Sequence, residues 1–132
     1  MLVVDASLVV DYLLNEGRRG VWSAERIRAA DSLHAPHLLD LEVLAAARGL
    51  VVRGETTPEQ AQRAVYDLGD LPVKRYPVVH LLARIWALRG TLTPYDASYI
   101  ALAEALDLPL ATTDARLSRA HGHLARVEGF AG

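Results

Sequence analysis

The stretch TPYDASYIALAEALDLPLATTD, Thr93 to Asp114, decides the fold. Thr93 is a helix cap and Pro94 takes the first helical position, where its fixed φ and missing N–H do no harm. The helix is expected to run to about Leu106. The short apolar run PLAT then reads as a buried strand that ends at Asp114, and the rest of the chain repeats this alternation of helix and strand.

Upstream, Leu2, Val3 and Val4 form a first short buried strand, with Asp5 where it runs out. Ser7 is expected to cap a helix through Leu14, broken by NEGRRG, and a second helix covers VWSAERIRAA. LHAP is a second strand stopped by Pro36, and LLDLEVLAAARGLVVRG a long helix closed by Gly54. Thr57 and Pro58 start a helix in TTPEQAQRAVYDLGD. PVKRYP is a strand between prolines, and VVHLLARIWALRG a helix ended by Gly90. After Asp114 come a short helix and a final strand in ARVEG. Short apolar strands alternating with helices call for an α/β fold with a parallel sheet covered on both faces.

The totals narrow the possibilities. At 132 residues the chain has the length of one domain, with 52% hydrophobic and 23% charged residues, a globular composition. No apolar run is long enough to cross a bilayer, and the start carries no basic segment followed by a cleavable apolar stretch, so a soluble cytoplasmic protein is expected. Cysteine is absent, which removes disulfides, thiolate chemistry and cysteine-ligated zinc. A net charge of −2 lacks the positive excess of a dedicated nucleic-acid-binding domain. That counts only weakly against a nucleic-acid substrate, because clustered acids hide a basic rim in the total.

The acids carry the chemistry. Asp5 and Asp114 each end a strand, and ligands of open parallel sheets bind at the carboxyl ends of strands, where the strand order reverses. Taken singly, Asp5 is explained as a loop acid, Asp114 as a helix cap, and Asp96 as the partner of Thr93 in a capping-box-like pattern. Glu42 resists such an account. Its neighbours one turn away are Leu38, Leu39, Ala45 and Ala46, so it is expected on a buried stripe, where a lone carboxylate is costly. Asp40, in the first turn of the same helix, compensates the helix dipole and is left out. Four carboxylates converging on one crevice repel one another unless a cation sits among them, and an all-oxygen set suits Mg²⁺ or Mn²⁺ better than zinc. His121 and His123 flank Gly122 in what reads as a solvated loop.

VVDASLVVDYLL, PHLLDLEVLAAAR, TPYDASYIALAEALDLPLATTD and DARLSRA together resemble a PIN-domain ribonuclease, and more narrowly the toxin of a VapBC-type toxin–antitoxin pair. They fall in the family's order across essentially the whole chain. The resemblance implies a three-layer α/β/α sandwich and a metal-dependent endoribonuclease. It places Asp5, Glu42, Asp96 and Asp114 at the family's four acidic positions, with Ser7 and Thr112 at small hydroxyl positions that support them. Asp5 and Asp96 are expected as direct metal ligands, Asp114 directly or through water, and Glu42 as a ligand or as the group that orients the attacking water. Arg48, Arg53, Arg116 and Arg119 are the candidate phosphate contacts. A homodimer and a cognate antitoxin whose tail covers the site are also implied. RGLVVRG and the helix holding Trp86 are read either as surfaces for these partners or as core.

Two other enzyme classes place an acid after the first strand. Phosphatases with an aspartate nucleophile need a second aspartate where this chain has Ser7, and receiver domains need a late lysine, whereas Lys74 is mid-chain. A non-enzymatic PIN-like binding module is the remaining alternative, and four intact acids argue against it.

Overall fold

The computed structural model describes residues 1–132. The elements follow in the order β1 (Leu2–Val4), α1 (Ala6–Leu14), α2 (Arg18–Ala29), β2 (Leu33–Pro36), α3 (Leu38–Val52), α4 (Pro58–Asp70) and β3 (Val73–Tyr76). A single 3₁₀ turn at Val79–Leu81 leads to α5 (Leu82–Ala87), α6 (Pro94–Leu106), β4 (Leu110–Thr112), α7 (Ala115–Ser118) and β5 (Val127–Gly129).

The five strands form one wholly parallel sheet in the order β3-β2-β1-β4-β5. The chain runs outward from β1 to β3 on one side, then returns to place β4 against the free edge of β1. Right-handed crossovers therefore put α1 to α4 on one face and α5 and α6 on the other. Val3 pairs with both His34 and Leu110, which fixes β1 at the centre. The strand order reverses between β1 and β4, and Asp5 and Asp114 follow those two strands. A single core of 22 buried residues holds the layers together, with Val3, Val4, Leu8, Ala97, Ile100 and Leu110 shielded completely.

Most expected elements stand where the sequence put them, and the ends differ for local reasons. Ser7 is not the cap of α1: Asp5 is, its carboxylate accepting from the Leu8 amide at 3.0 Å, and Ser7 is already in the helix. The second helix begins at Arg18, three residues early. It lies so close to the preceding turn that a Cβ at Gly20 would meet the Asn15 carbonyl oxygen at 1.6 Å, and only glycine allows that approach. Thr57 and Gln60 close a full capping box on α4. At the end of α3 Gly54 adopts φ 71°, and the Glu55 amide reaches back to the Leu50 carbonyl at 2.8 Å, a Schellman stop.

The helix expected over residues 78–90 shrinks to Leu82–Ala87 behind the 3₁₀ turn, and it ends before Gly90. Leu88 and Leu92 explain the early stop, since both turn into the core and draw the chain off the helix axis. Trp86 and Val52 settle the question of surface or core at their own positions, being 65% and 71% exposed.

Candidate active site

Four segments bring their acids to the carboxyl edge of the sheet. Asp5 caps α1 directly after β1, Asp114 caps α7 after β4, Asp96 lies in the first turn of α6, and Glu42 stands on the second turn of α3. For the three aspartates the position follows from local chemistry, because a strand end or helix start both orients an acid and tolerates its charge.

Asp5 is the most enclosed, with 5% of its surface exposed. Its carboxylate accepts from Thr112 Oγ1 at 2.5 Å, from Ser7 Oγ at 2.8 and 3.0 Å, and from the Leu8 amide. Burial pushes its pKa up to about 6, against the pull of these hydrogen bonds. Ser7 and Thr112 act as one unit: their hydroxyls lie 3.1 Å apart, Ser7 Oγ accepts from the Thr113 amide, and Thr112 Oγ1 from the Asp114 amide at 3.0 Å. The two hydroxyl side chains thus tie the end of β1 to the turn that carries Asp114.

Glu42 is half-buried. The fully shielded stripe of α3 consists of Leu39, Val43 and Ala47, while Ala45 is exposed, so the expected buried stripe is offset by one position. Glu42 lines a groove instead, which lowers the cost of its charge. Tyr99 Oη, buried on α6, donates to Glu42 Oε1 at 2.7 Å. Burial raises the Glu42 pKa, the tyrosine hydrogen bond lowers it, and Asp96 raises it further.

Asp96 accepts no bond from the Thr93 amide, so the capping box is only half formed. Thr93 Oγ1 accepts from the Asp96 amide, and the carboxylate turns instead to Arg116, whose Nη2 lies 3.1 Å from Asp96 and 3.4 Å from Asp114. Burial raises the Asp96 pKa, Arg116 lowers it and Asp114 raises it again. Asp114 also raises the pKa of Asp5. The charge of Asp114 thus acts on both Asp5 and Asp96, and that of Asp96 on Glu42, which links all four acids electrostatically.

The structure brings together every acid expected at the site, both supporting hydroxyls and Arg116. Arg48 and Arg119 are exposed and pair with no acid. Asp40 is held away by Arg75, which grips it at 2.8 and 3.1 Å. His123 bonds to nearby backbone, and His121 is exposed.

Asp11 is a fifth acid that sequence reasoning passed over. It is 9% exposed and accepts from Thr113 Oγ1 at 2.6 Å and from Asn15 at 2.9 Å, with Arg19 3.6 Å away. It pins the turn carrying Asp114 from the other side. The available signal was its spacing: Asp11 lies one helical turn after Ser7, so both face the same loop. A groove of about 860 Å³ runs from Ser7, Glu42 and Asp114 past Asp11 and Arg19 to Arg53, between α1 and α3.

The donor set fits a hard divalent cation in chemistry: every candidate ligand is oxygen, and three of the acids are held above their ordinary pKa by burial. As the side chains stand, no three acidic or histidine groups close on one point as ion ligands. Asp96 and Asp114 are instead drawn to Arg116.

A parallel α/β/α domain with carboxylates gathered at its topological switch point has an acidic crevice where open parallel sheets bind their ligands. The chain belongs to the PIN-domain family, whose model matches residues 2–122. It is 47% identical over 118 residues to Ribonuclease VapC9 of Mycobacterium tuberculosis, covering 89% of each chain. It is 40% identical to Ribonuclease VapC12 of the same organism, over 97% of this chain and 98% of that one. Among solved structures, PAE2754 from Pyrobaculum aerophilum superposes with a TM-score of 0.67 at 28% identity, over 89% of this chain and 83% of that one. The Mycobacterium tuberculosis sarcin–ricin-loop-cleaving toxin VapC20 shares the fold, with a TM-score of 0.71 at 14% identity over 94% and 97% of the two chains.

Proposed function

We propose that this protein is a divalent-metal-dependent endoribonuclease, the toxin of a VapBC-type toxin–antitoxin pair, with residues 1–132 acting as one catalytic domain. The observation that carries the reading is the convergence of Asp5, Glu42, Asp96 and Asp114, from four separate segments, at the switch point of a PIN-family sheet. Mg²⁺ or Mn²⁺, when bound, supplies a polarised scissile phosphate and a water acidic enough to attack it near neutral pH.

The chain's own groups do the rest. Asp5, Asp96 and Asp114 would hold the ion, with Ser7 and Thr112 keeping the Asp5 carboxylate in one orientation. Glu42, held through one oxygen by Tyr99 and raised in pKa by burial, orients the attacking water and receives its proton. Attack by water breaks the P–O3′ bond, and the departing 3′-oxygen takes a proton from solvent, which leaves 5′-phosphate and 3′-hydroxyl ends. Arg48, Arg116 and Arg119 contact phosphates beyond the acids.

The cognate antitoxin covers the groove between α1 and α3. Five acids line it, Asp11, Glu16, Glu42, Glu55 and Asp114, against Arg19 and Arg53, which favours a basic peptide tail. A second copy of the chain completes a homodimer. No helix is long and apolar enough to cross a membrane, and the proposed site of action is the cytoplasm.

The test is to incubate the antitoxin-free protein with cellular RNA in Mg²⁺ or Mn²⁺, beside Asp5→Asn and Asp96→Asn variants. Metal-dependent cleavage lost in both variants is expected. Equal cleavage by all three proteins, or 2′,3′-cyclic phosphate products, overturns the reading.

A further inference from the structure

Arg116 is the only basic side chain that reaches any of the four site acids. The other arginines near acids are engaged elsewhere: Arg19 with Asp11, Arg26 with Glu128, Arg53 with Glu55, Arg75 with Asp40, Arg84 with Glu104 and Arg126 with Asp107. One guanidinium nitrogen of Arg116 lies between carboxylates from two elements, Asp96 on α6 and Asp114 at the start of α7. Its side chain is 72% exposed, whereas that of Asp96 is 20% exposed. The arm is thus a largely solvated cation laid over two partly buried carboxylates.

A divalent ion placed among these carboxylates would repel the guanidinium beside it, because like charges at contact distance raise each other's energy even under partial screening. Asp114 Oδ1 already accepts from the Arg116 and Leu117 amides, so an ion held by Asp114 would compete for the Oδ2 that the Arg116 guanidinium reaches. We propose that Arg116 is a resident counter-cation of the site that competes with the divalent metal for Asp96 and Asp114, so that metal entry releases the guanidinium. The inference rests on the metal-dependent reading above and adds to it a built-in brake on metal occupancy. Linkage makes the coupling reciprocal, so whatever draws Arg116 away, such as a phosphate, tightens metal binding by the same factor.

Mn²⁺ binding to the full chain, measured by titration calorimetry without RNA, tests this. Arg116→Ala and Arg116→Gln are expected to bind Mn²⁺ about three- to tenfold more tightly than the unaltered protein, as two exposed ion pairs allow. Asp96→Asn is expected to bind it far more weakly. In NMR titrations with Mg²⁺, the Arg116 Nε–Hε resonance is expected to move toward that of a free arginine, a change that a merely structural arginine would not show. Unchanged or weaker Mn²⁺ binding by both Arg116 variants, alongside Asp96-dependent binding by the unaltered protein, overturns the competition and leaves the metal site standing. Absence of Mn²⁺ binding by the unaltered protein overturns both.

Discussion

The two halves of the acidic crevice are built differently. On the β1 side Asp5 is sealed from water and fixed by two hydroxyls and an amide, all on short, rigid segments. On the α6–α7 side Asp96 and Asp114 are partly exposed and balanced by a largely solvated arginine arm. The first half sets geometry in advance through buried hydrogen bonds. The second adjusts its charge. A site that binds and releases a cation benefits from both, since one fixed ligand defines the position and softer ones admit the ion.

The largest effect expected from breaking this comparison comes from Asp5→Asn. It should lower RNA cleavage by at least about a hundredfold, more than the loss of a group that merely supports a ligand. The same variant should stabilise the metal-free fold. The unfolded chain releases the Asp5 proton near the ordinary aspartate value, while the folded chain holds it until about 6. Between those values the folded state binds more protons, so stability falls as pH rises, and above about 6 the full cost of about 3 kcal/mol persists. Asparagine keeps the cap and removes that cost. Denaturant melts in EDTA should show Asp5→Asn more stable than the unaltered protein at pH 7.5, and the two converging at pH 4.

Thr112→Val attacks the fixed half through its support. It removes the 2.5 Å bond to Asp5 and the acceptor for the Asp114 amide, so a cost of about 1–3 kcal/mol in stability and roughly 10–100-fold in cleavage is expected. Urea melts and RNA cleavage rates check it. Tyr99→Phe frees one Glu42 oxygen and should cost about 1 kcal/mol, with the rate falling more than metal affinity, as kcat against Mn²⁺ titration would show. The smallest change is expected from Arg116→Ala, within about 1 kcal/mol in a thermal melt, because its ion pairs are solvated. A larger loss there would mean that the adjustable half is structural after all.

Much of the fold was legible because its signals are local. Thr93 followed by Pro94, Thr57 followed by Pro58, and the apolar runs before Asp5 and Asp114 each fix an element from within a few residues. Asp5, Asp96 and Asp114 were legible for the same reason, since each stands at a strand end or on a helix start, while Glu42 stood out by its apolar neighbours one turn away. Tertiary demands shifted the rest. Ser7 has a capping residue's chemistry, yet Asp5 takes the cap, and the Ser7 hydroxyl is free to join two strand ends 105 residues apart in sequence. α5 stops early because Leu88 and Leu92 are needed in the core. Asp11 looked like an ordinary helix acid until Thr113, 102 residues away, came to rest on it.

By itself the sequence determined the α/β alternation and the places of the acids, because capping, strand-end and helix-start chemistry act over three or four residues. Only the tertiary structure decided that Asp5 is sealed while Asp96 is exposed enough to share an arginine, that Tyr99 holds Glu42, and that Asp11 rather than Asp40 borders the crevice. Those outcomes depend on burial and on pairings between distant segments, and both arise only once the sheet has brought the ends of β1 and β4 side by side.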